Sequence, residues 1–163
     1  MNADDATAAD YLRIGIELGW VEPQAARDWA DAIIRTMEEP PAEIIEVSWS
    51  QDVASLVRAL GTAPGEGDRV LAGRWLLNDL AVVLEEGDHD CLEHVVRGCL
   101  AVCVAAGLDE PTYHRFDAID DELSLARLGT YGSVETCRLA LATLLAEYPA
   151  APQIGADTPR DAD

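Results

Sequence analysis

The stretch that decides the fold is Asp68–Gly107, which reads DRVLAGRWLLNDLAVVLEEGDHDCLEHVVRGCLAVCVAAG. In its first half, leucines and valines recur at three- and four-residue spacing, which predicts a helix with a broad apolar face. The second half, from Leu92 onward, is apolar in nearly every direction around a helix axis and predicts a helix buried on all sides. Between them, residues 86–89 read EGDH and predict a turn. The stretch therefore predicts two long antiparallel helices folded into a hairpin.

Helix signals continue towards the N-terminus. Residues 4–18 and 23–38 show helical periodicity, and the proline pair before residue 42 ends the second of these segments. Pro41 suits the first turn of a short third helix, because an N–H at that position would have no partner within the helix and proline has none to leave unpaired. Ser48 or Ser50 is the expected N-cap of a fourth helix. Four helices are therefore expected before the hairpin.

Two further helices are expected after the hairpin. Asp109 marks the start of the first and Ser133 the start of the second, since both residue types cap helix N-termini. No segment shows the alternation of a strand. We predict an all-α fold, a compact bundle of seven or eight helices around the central hairpin, with a short solenoid of helical pairs as the alternative. Residues 1–148 are expected to form a single helical domain and residues 149–163 a disordered tail.

Net charge is the strongest compositional feature. The chain of 163 residues has a formal charge of −20 and eleven basic side chains, all of them arginine. Nucleic acid and anionic membranes are repelled by such a protein, whereas a basic protein is attracted and steered into rapid encounter. The alternative is that the acidity only keeps the chain soluble. The charge predicts a protein partner and no direct nucleic-acid or membrane partner.

The location and redox state also follow from composition. No apolar run reaches the roughly 18 residues that a membrane span needs, and the N-terminus is acidic where a secretory signal is basic. We therefore expect a cytoplasmic protein. The four cysteines lack the close pairing of zinc sites and occupy apolar helical positions, which predicts reduced thiols and no metal or other cofactor. They are Cys91, Cys99, Cys103 and Cys137.

Two groups of polar side chains are candidate sites of chemistry. Residues 88–94, DHDCLEH, hold possible metal ligands, but their spacing fits no familiar metal motif, and acids near a helix start are favoured by the helix dipole. A polar seam at the hairpin would line a pocket for an anion if its faces met, but structural ion pairs with Asp79 or nearby acids explain it better; its members are Arg74, Asn78, His94 and Arg97. No nucleophile elbow, phosphate loop or dinucleotide fingerprint occurs. We therefore expect no enzyme activity.

Three segments carry a family resemblance. Residues 15–21 (GIELGWV), 29–31 (WAD) and 40–48 (PPAEIIEVS) resemble small acidic all-helical bacterial immunity proteins of polymorphic or contact-dependent toxin systems. The likeness covers about the first third of the chain. It implies a stoichiometric inhibitor that binds its cognate toxin domain in the cytoplasm and occludes the active site. The alternative is a non-catalytic helical adaptor or regulatory module that holds an amphipathic peptide.

Two acidic clusters are the predicted partner-binding residues, because adjacent like charges are costly unless a cationic partner or solvent relieves them. One lies at the hairpin turn and one on the following helix. The cluster at the hairpin turn consists of Glu85, Glu86, Asp88 and Asp90. The cluster on the following helix consists of Asp117, Asp120, Asp121 and Glu122. The expected partner is a cognate basic toxin domain, bound by a monomer in a 1:1 complex.

Overall fold

A computed structural model describes residues 3–87 and 91–154. These residues form eight α-helices and no strand, which confirms the predicted all-α fold. The helices are α1 (Ala3–Glu17), α2 (Pro23–Thr36), α3 (Ala42–Trp49), α4 (Val53–Gly61), α5 (Arg69–Glu86), α6 (Cys91–Ala106), α7 (Glu110–Arg127) and α8 (Val134–Leu145). Among the described residues, no helix is both long enough and apolar enough to cross a bilayer.

The helices group into two compact units. The first contains α1–α4 and the described residues from Pro152, and the second contains α5–α8 and ends at Ala151. In the first unit α1 and α3 each pack on α2 and α4, and in the second α5 and α7 each pack on α6 and α8. The prediction that residues 1–148 fold as a single domain stays a prediction.

The first unit is built on a continuous apolar core. Leu12, Trp29, Ile44 and Leu56 contribute to it from α1, α2, α3 and α4 in turn. Ile154 also packs against this core and is partly buried, although it lies in the predicted tail. Residues 155–163 of that tail lie outside the described residues.

The second unit contains the predicted hairpin, in which α5 and α6 form the most extensive helix contact of the chain. Near the start of α5, Gly73 lies so close to Ala106, the last residue of α6, that a Cβ on the glycine would stand 2.3 Å from the alanine Cβ. At the other end, a Cβ on Gly87 would stand 2.4 Å from the Cys91 sulfur. The start of α5 therefore meets the end of α6, and the two helices are antiparallel.

Burial within the hairpin differs from the prediction in one respect. Leu92, Val95 and Val96 are fully buried, but Val104 exposes 72% of its surface and Leu100 is only partly buried. The prediction that α6 is apolar and buried on all sides is therefore wrong. Its neighbours in the unit are α5 and α7, so one side of the helix is left uncovered.

Local signals located most helix ends correctly. Asp109 accepts a hydrogen bond from the Thr112 N–H (3.1 Å) and caps α7, and Ser133 caps α8 in the same way. The expected cap of α4 is wrong, because Asp52 takes that place and accepts from the Ser55 N–H at 2.9 Å. The Ser50 hydroxyl, one of the two predicted caps, instead donates to the carbonyl of residue 46 in α3 (2.7 Å).

Candidate functional site

The first predicted acidic cluster lies at the end of α5. Glu85 and Glu86 are both exposed there, while Asp88 and Asp90 lie outside the described residues. Carboxylates at a helix C-terminus face the negative end of the helix dipole, which is unfavourable. Arg138 of α8 relieves this, because its guanidinium donates to the carbonyls of Leu84 and Gly87. The helix end therefore already has a cation from within the protein.

The second predicted cluster lies along α7. Asp117, Asp120 and Asp121 share one face because they are three and four residues apart, whereas Glu122 points about 100° away from Asp121. Asp121 and Glu122 are exposed, and Asp117 and Asp120 are partly buried. His114 Nδ1 lies 3.9 Å from Asp117, close enough to pair when the imidazole is protonated. The cluster thus presents three carboxylates on one face and a fourth to the side.

Asp120 lies beside a partly exposed network of ion pairs. It lines a small cavity of about 300 Å³ together with Glu93 and Arg127. Glu93 pairs with Arg127 and also with Arg97, at 2.6 Å. One carboxylate of α6 therefore binds two arginines, so part of the positive charge next to the α7 cluster is already neutralised.

The proposed polar seam of the hairpin resolves into separate structural contacts. Asn78 donates to the carbonyl of Tyr148 (3.0 Å), after the end of α8, and Arg97 pairs with Glu93. Arg74 lies near Asp109 and helps to lower the pKa of that carboxyl, after the larger effect of the hydrogen bonds from Thr112. These contacts give Asn78, Arg97 and Arg74 a structural role.

The cysteines are free thiols in a protected setting. Cys99, Cys103 and Cys137 are buried and Cys91 is partly buried. Burial raises the pKa of Cys103 to about 11 and raises the pKa of Cys99 further. Because the thiolate is the nucleophilic form, both are poor nucleophiles. Within the described residues, no group of three or more His, Cys, Asp or Glu side chains is arranged to hold a metal ion.

An open groove between α3 and α4 is a site that the sequence reasoning missed. Its volume is about 690 Å³. One face of α3 forms the first wall, through Ala42, Ile45, Glu46 and Trp49. The second wall comes from the start and exposed side of α4, through Asp52, Ser55, Arg58, Ala59 and Thr62. The groove therefore combines apolar, acidic and basic groups over two helices.

Trp49 is the most unusual residue of this groove, because it exposes 74% of its surface. The other side of α3 supplies Ile44 and Val47 to the core, and both are fully buried. A signal for this was present in the sequence, since Ile45 and Trp49 are four residues apart and lie off the face of Ile44 and Val47. A short helix that is apolar on two sides has one side left for another partner.

No protein-family model, curated protein or solved structure matches the chain.

Proposed function

We propose that this chain is an immunity protein, which binds a cognate bacterial toxin domain in the cytoplasm and neutralises it by occluding the active site. The observation that carries the proposal is the surplus of carboxylates over cations on a helical scaffold. The chain has 31 acidic and 11 basic side chains. A basic protein surface is the partner that such a surplus favours.

The way the arginines are used strengthens this argument. Arg115 forms two hydrogen bonds with Glu147, at 2.6 and 2.8 Å, and Arg13 pairs with Asp10 at 3.2 Å. Arg27 donates to the carbonyl of Ser50 (3.0 Å), and Arg138 holds the end of α5. These cations bind groups of the protein itself. The excess negative charge therefore faces solvent or a partner.

This arrangement suits an inhibitor that acts by binding alone. An active site that binds an anionic substrate has a positive potential, and carboxylates of an inhibitor can take the place of such a substrate. Long-range attraction also raises the association rate, by up to about a thousandfold at low salt. No catalytic step is assigned to the chain, and a monomer in a 1:1 complex is the proposed active form.

Co-expression with the product of the adjacent gene tests the proposal. That product should be lethal when it is expressed alone in the cytoplasm, and growth should be restored when this protein is present. A matched control is a variant whose fold is disrupted, which should not restore growth. The proposal is lost if the product is harmless alone, or if it stays lethal while this protein is abundant and folded.

A non-catalytic adaptor is the second candidate function. The open α3–α4 groove favours it, because grooves between helices bind amphipathic peptides. An adaptor and an immunity protein differ in the properties of the partner. A partner that binds tightly but is not toxic when expressed alone supports the adaptor.

A further inference from the structure

The exposed tryptophan of the α3–α4 groove needs a physical explanation. Tryptophan is highly buried on average, because exposing its large apolar ring to water is unfavourable. It is also one of the residues most enriched among the energetic hot spots of protein interfaces. Trp49 stands beside Ile45 on the wall of an open groove, which gives a partner both an aromatic ring and an adjoining apolar surface.

The backbone around Trp49 is already fixed in place. Gln51 donates from its side-chain amide to the Trp49 carbonyl (3.0 Å), and Arg27 donates to the next carbonyl, that of Ser50 (3.0 Å). The Ser50 hydroxyl adds a bond to the carbonyl of Glu46 (2.7 Å). The backbone at this position is therefore ordered before a partner binds, so the entropy lost on binding is mainly that of the side chains.

The chain segment that carries the tryptophan is acidic, although Arg27 donates to the Ser50 carbonyl and Arg58 lines the same groove. Residues 38–52, which contain α3 and its flanks, hold five acidic residues and no basic one. Glu46 is three residues before Trp49 and lines the same wall. A carboxylate beside an aromatic ring suits an arginine, whose planar guanidinium stacks on the ring and donates to the carboxylate. Arg58 lines the α4 wall of the same groove and repels a second arginine, so the favourable position for an arginine of the partner is the α3 wall beside Glu46.

We infer that the α3–α4 groove is the surface that binds the toxin domain, and that it takes an arginine-bearing segment of that basic partner, with Trp49 as the anchor and Glu46 as the charge partner. The inference rests on the proposed function and moves the interface away from the acidic clusters of α5 and α7. The groove combines a concave surface with a large exposed aromatic residue.

The test measures binding of a catalytically inactive form of the toxin domain encoded by the adjacent gene. Trp49→Ala should weaken the equilibrium affinity about 30-fold, as for a hot-spot residue. Glu46→Arg should slow association about tenfold at low salt, with a smaller effect in 0.5 M salt because the charges are screened. Both side chains are exposed, so circular dichroism and thermal melts of the variants should match those of the wild type.

Matched controls lie in the second unit. Tyr131→Ala removes an aromatic side chain that is 69% exposed, and Glu86→Arg and Asp121→Arg reverse charges in the two predicted clusters. Each should change the affinity less than about threefold. If the wild type binds and the groove variants bind equally well, the groove inference is overturned while the proposed function stands. If the folded wild type does not bind the toxin domain, both are overturned.

Discussion

Substitution of Gly73 by alanine should force the central hairpin apart. The new methyl carbon would stand 2.3 Å from the Ala106 Cβ and 3.3 Å from the Leu108 Cδ1. Carbon atoms in contact are ordinarily about 3.5–4.0 Å apart, so the first of these distances requires α5 and α6 to separate by about 1 Å. The Ala106 methyl is attached directly to the helix backbone and has no alternative rotamer. The strain therefore falls on the helix pair.

The magnitude follows from two opposed effects. Overpacking a close helix contact costs about 1–3 kcal/mol, and replacing glycine by alanine inside a helix returns up to about 1 kcal/mol. The 2.3 Å approach places the overpacking cost in the upper part of its range, about 2–3 kcal/mol, so the free energy of unfolding should fall by about 1–2 kcal/mol in Gly73→Ala. Urea denaturation followed by far-ultraviolet circular dichroism measures this change.

A double-mutant cycle isolates the contact from helix propensity. Ala106→Gly removes the clashing methyl, so the double variant should be more stable than the sum of the single changes by about 1–3 kcal/mol. The matched control pairs Gly73→Ala with Val104→Ala, whose side chain is 72% exposed, and these two changes should be additive. Additivity of Gly73→Ala with Ala106→Gly, within about 0.5 kcal/mol, would show that the two helices do not approach as described.

Three further predictions concern other parts of the chain. Ile154→Ala should lower the free energy of unfolding by about 1 kcal/mol, because Ile154 is partly buried against the core of the first unit and contributes about half of what a fully buried side chain does. An unchanged midpoint of urea denaturation would contradict this packing. Hydrogen bonds from Ser55 lower the pKa of Asp52, so this cap stabilises the fold above the usual aspartate pKa of about 3.9, and the stabilisation is lost as the pH falls through the lowered pKa. In Asp52→Asn, the free energy of unfolding measured against pH should lack this acid-dependent loss. The same pH dependence in the variant and the wild type would refute the prediction. Aromatic disulfide reagents at pH 8 should modify Cys103 far more slowly in the folded protein than in urea, because burial raises the pKa of the thiol to about 11. Equal rates of modification in the folded and unfolded protein would show that the thiol is accessible.

Much of the fold could be predicted because local interactions decide it. Asp109 and Ser133 cap helices through hydrogen bonds to residues three positions later, so the sequence alone reveals them. Gly19 ends α1 with a φ of 77°, a conformation that glycine adopts without strain. Asp52 was missed as a cap because two serines nearby are equally good candidates by residue type. The choice depended on the Ser50 hydroxyl bonding within α3.

The candidate site was harder to predict because exposure is a property of packing. Val104 and Trp49 are both apolar residues of predicted helices, and hydrophobicity alone places each in a core. Val104 is exposed because neighbouring helices cover only part of the circumference of α6. Trp49 is exposed because Ile44 and Val47, on the other side of α3, face the core. Charge clusters such as that of α7 are visible in the sequence. A groove formed by two separate helices is not.

The most direct measurement of the proposed function is a titration of toxin activity with purified protein. The toxin domain encoded by the adjacent gene is held at a fixed concentration well above the expected dissociation constant, and its activity is followed as this protein is added. We expect the activity to fall linearly and to reach zero at one equivalent, because the proposed inhibitor acts by 1:1 occlusion. Full toxin activity in the presence of several equivalents of folded protein would contradict the account, as would complete inactivation by a small fraction of an equivalent, which would require catalysis.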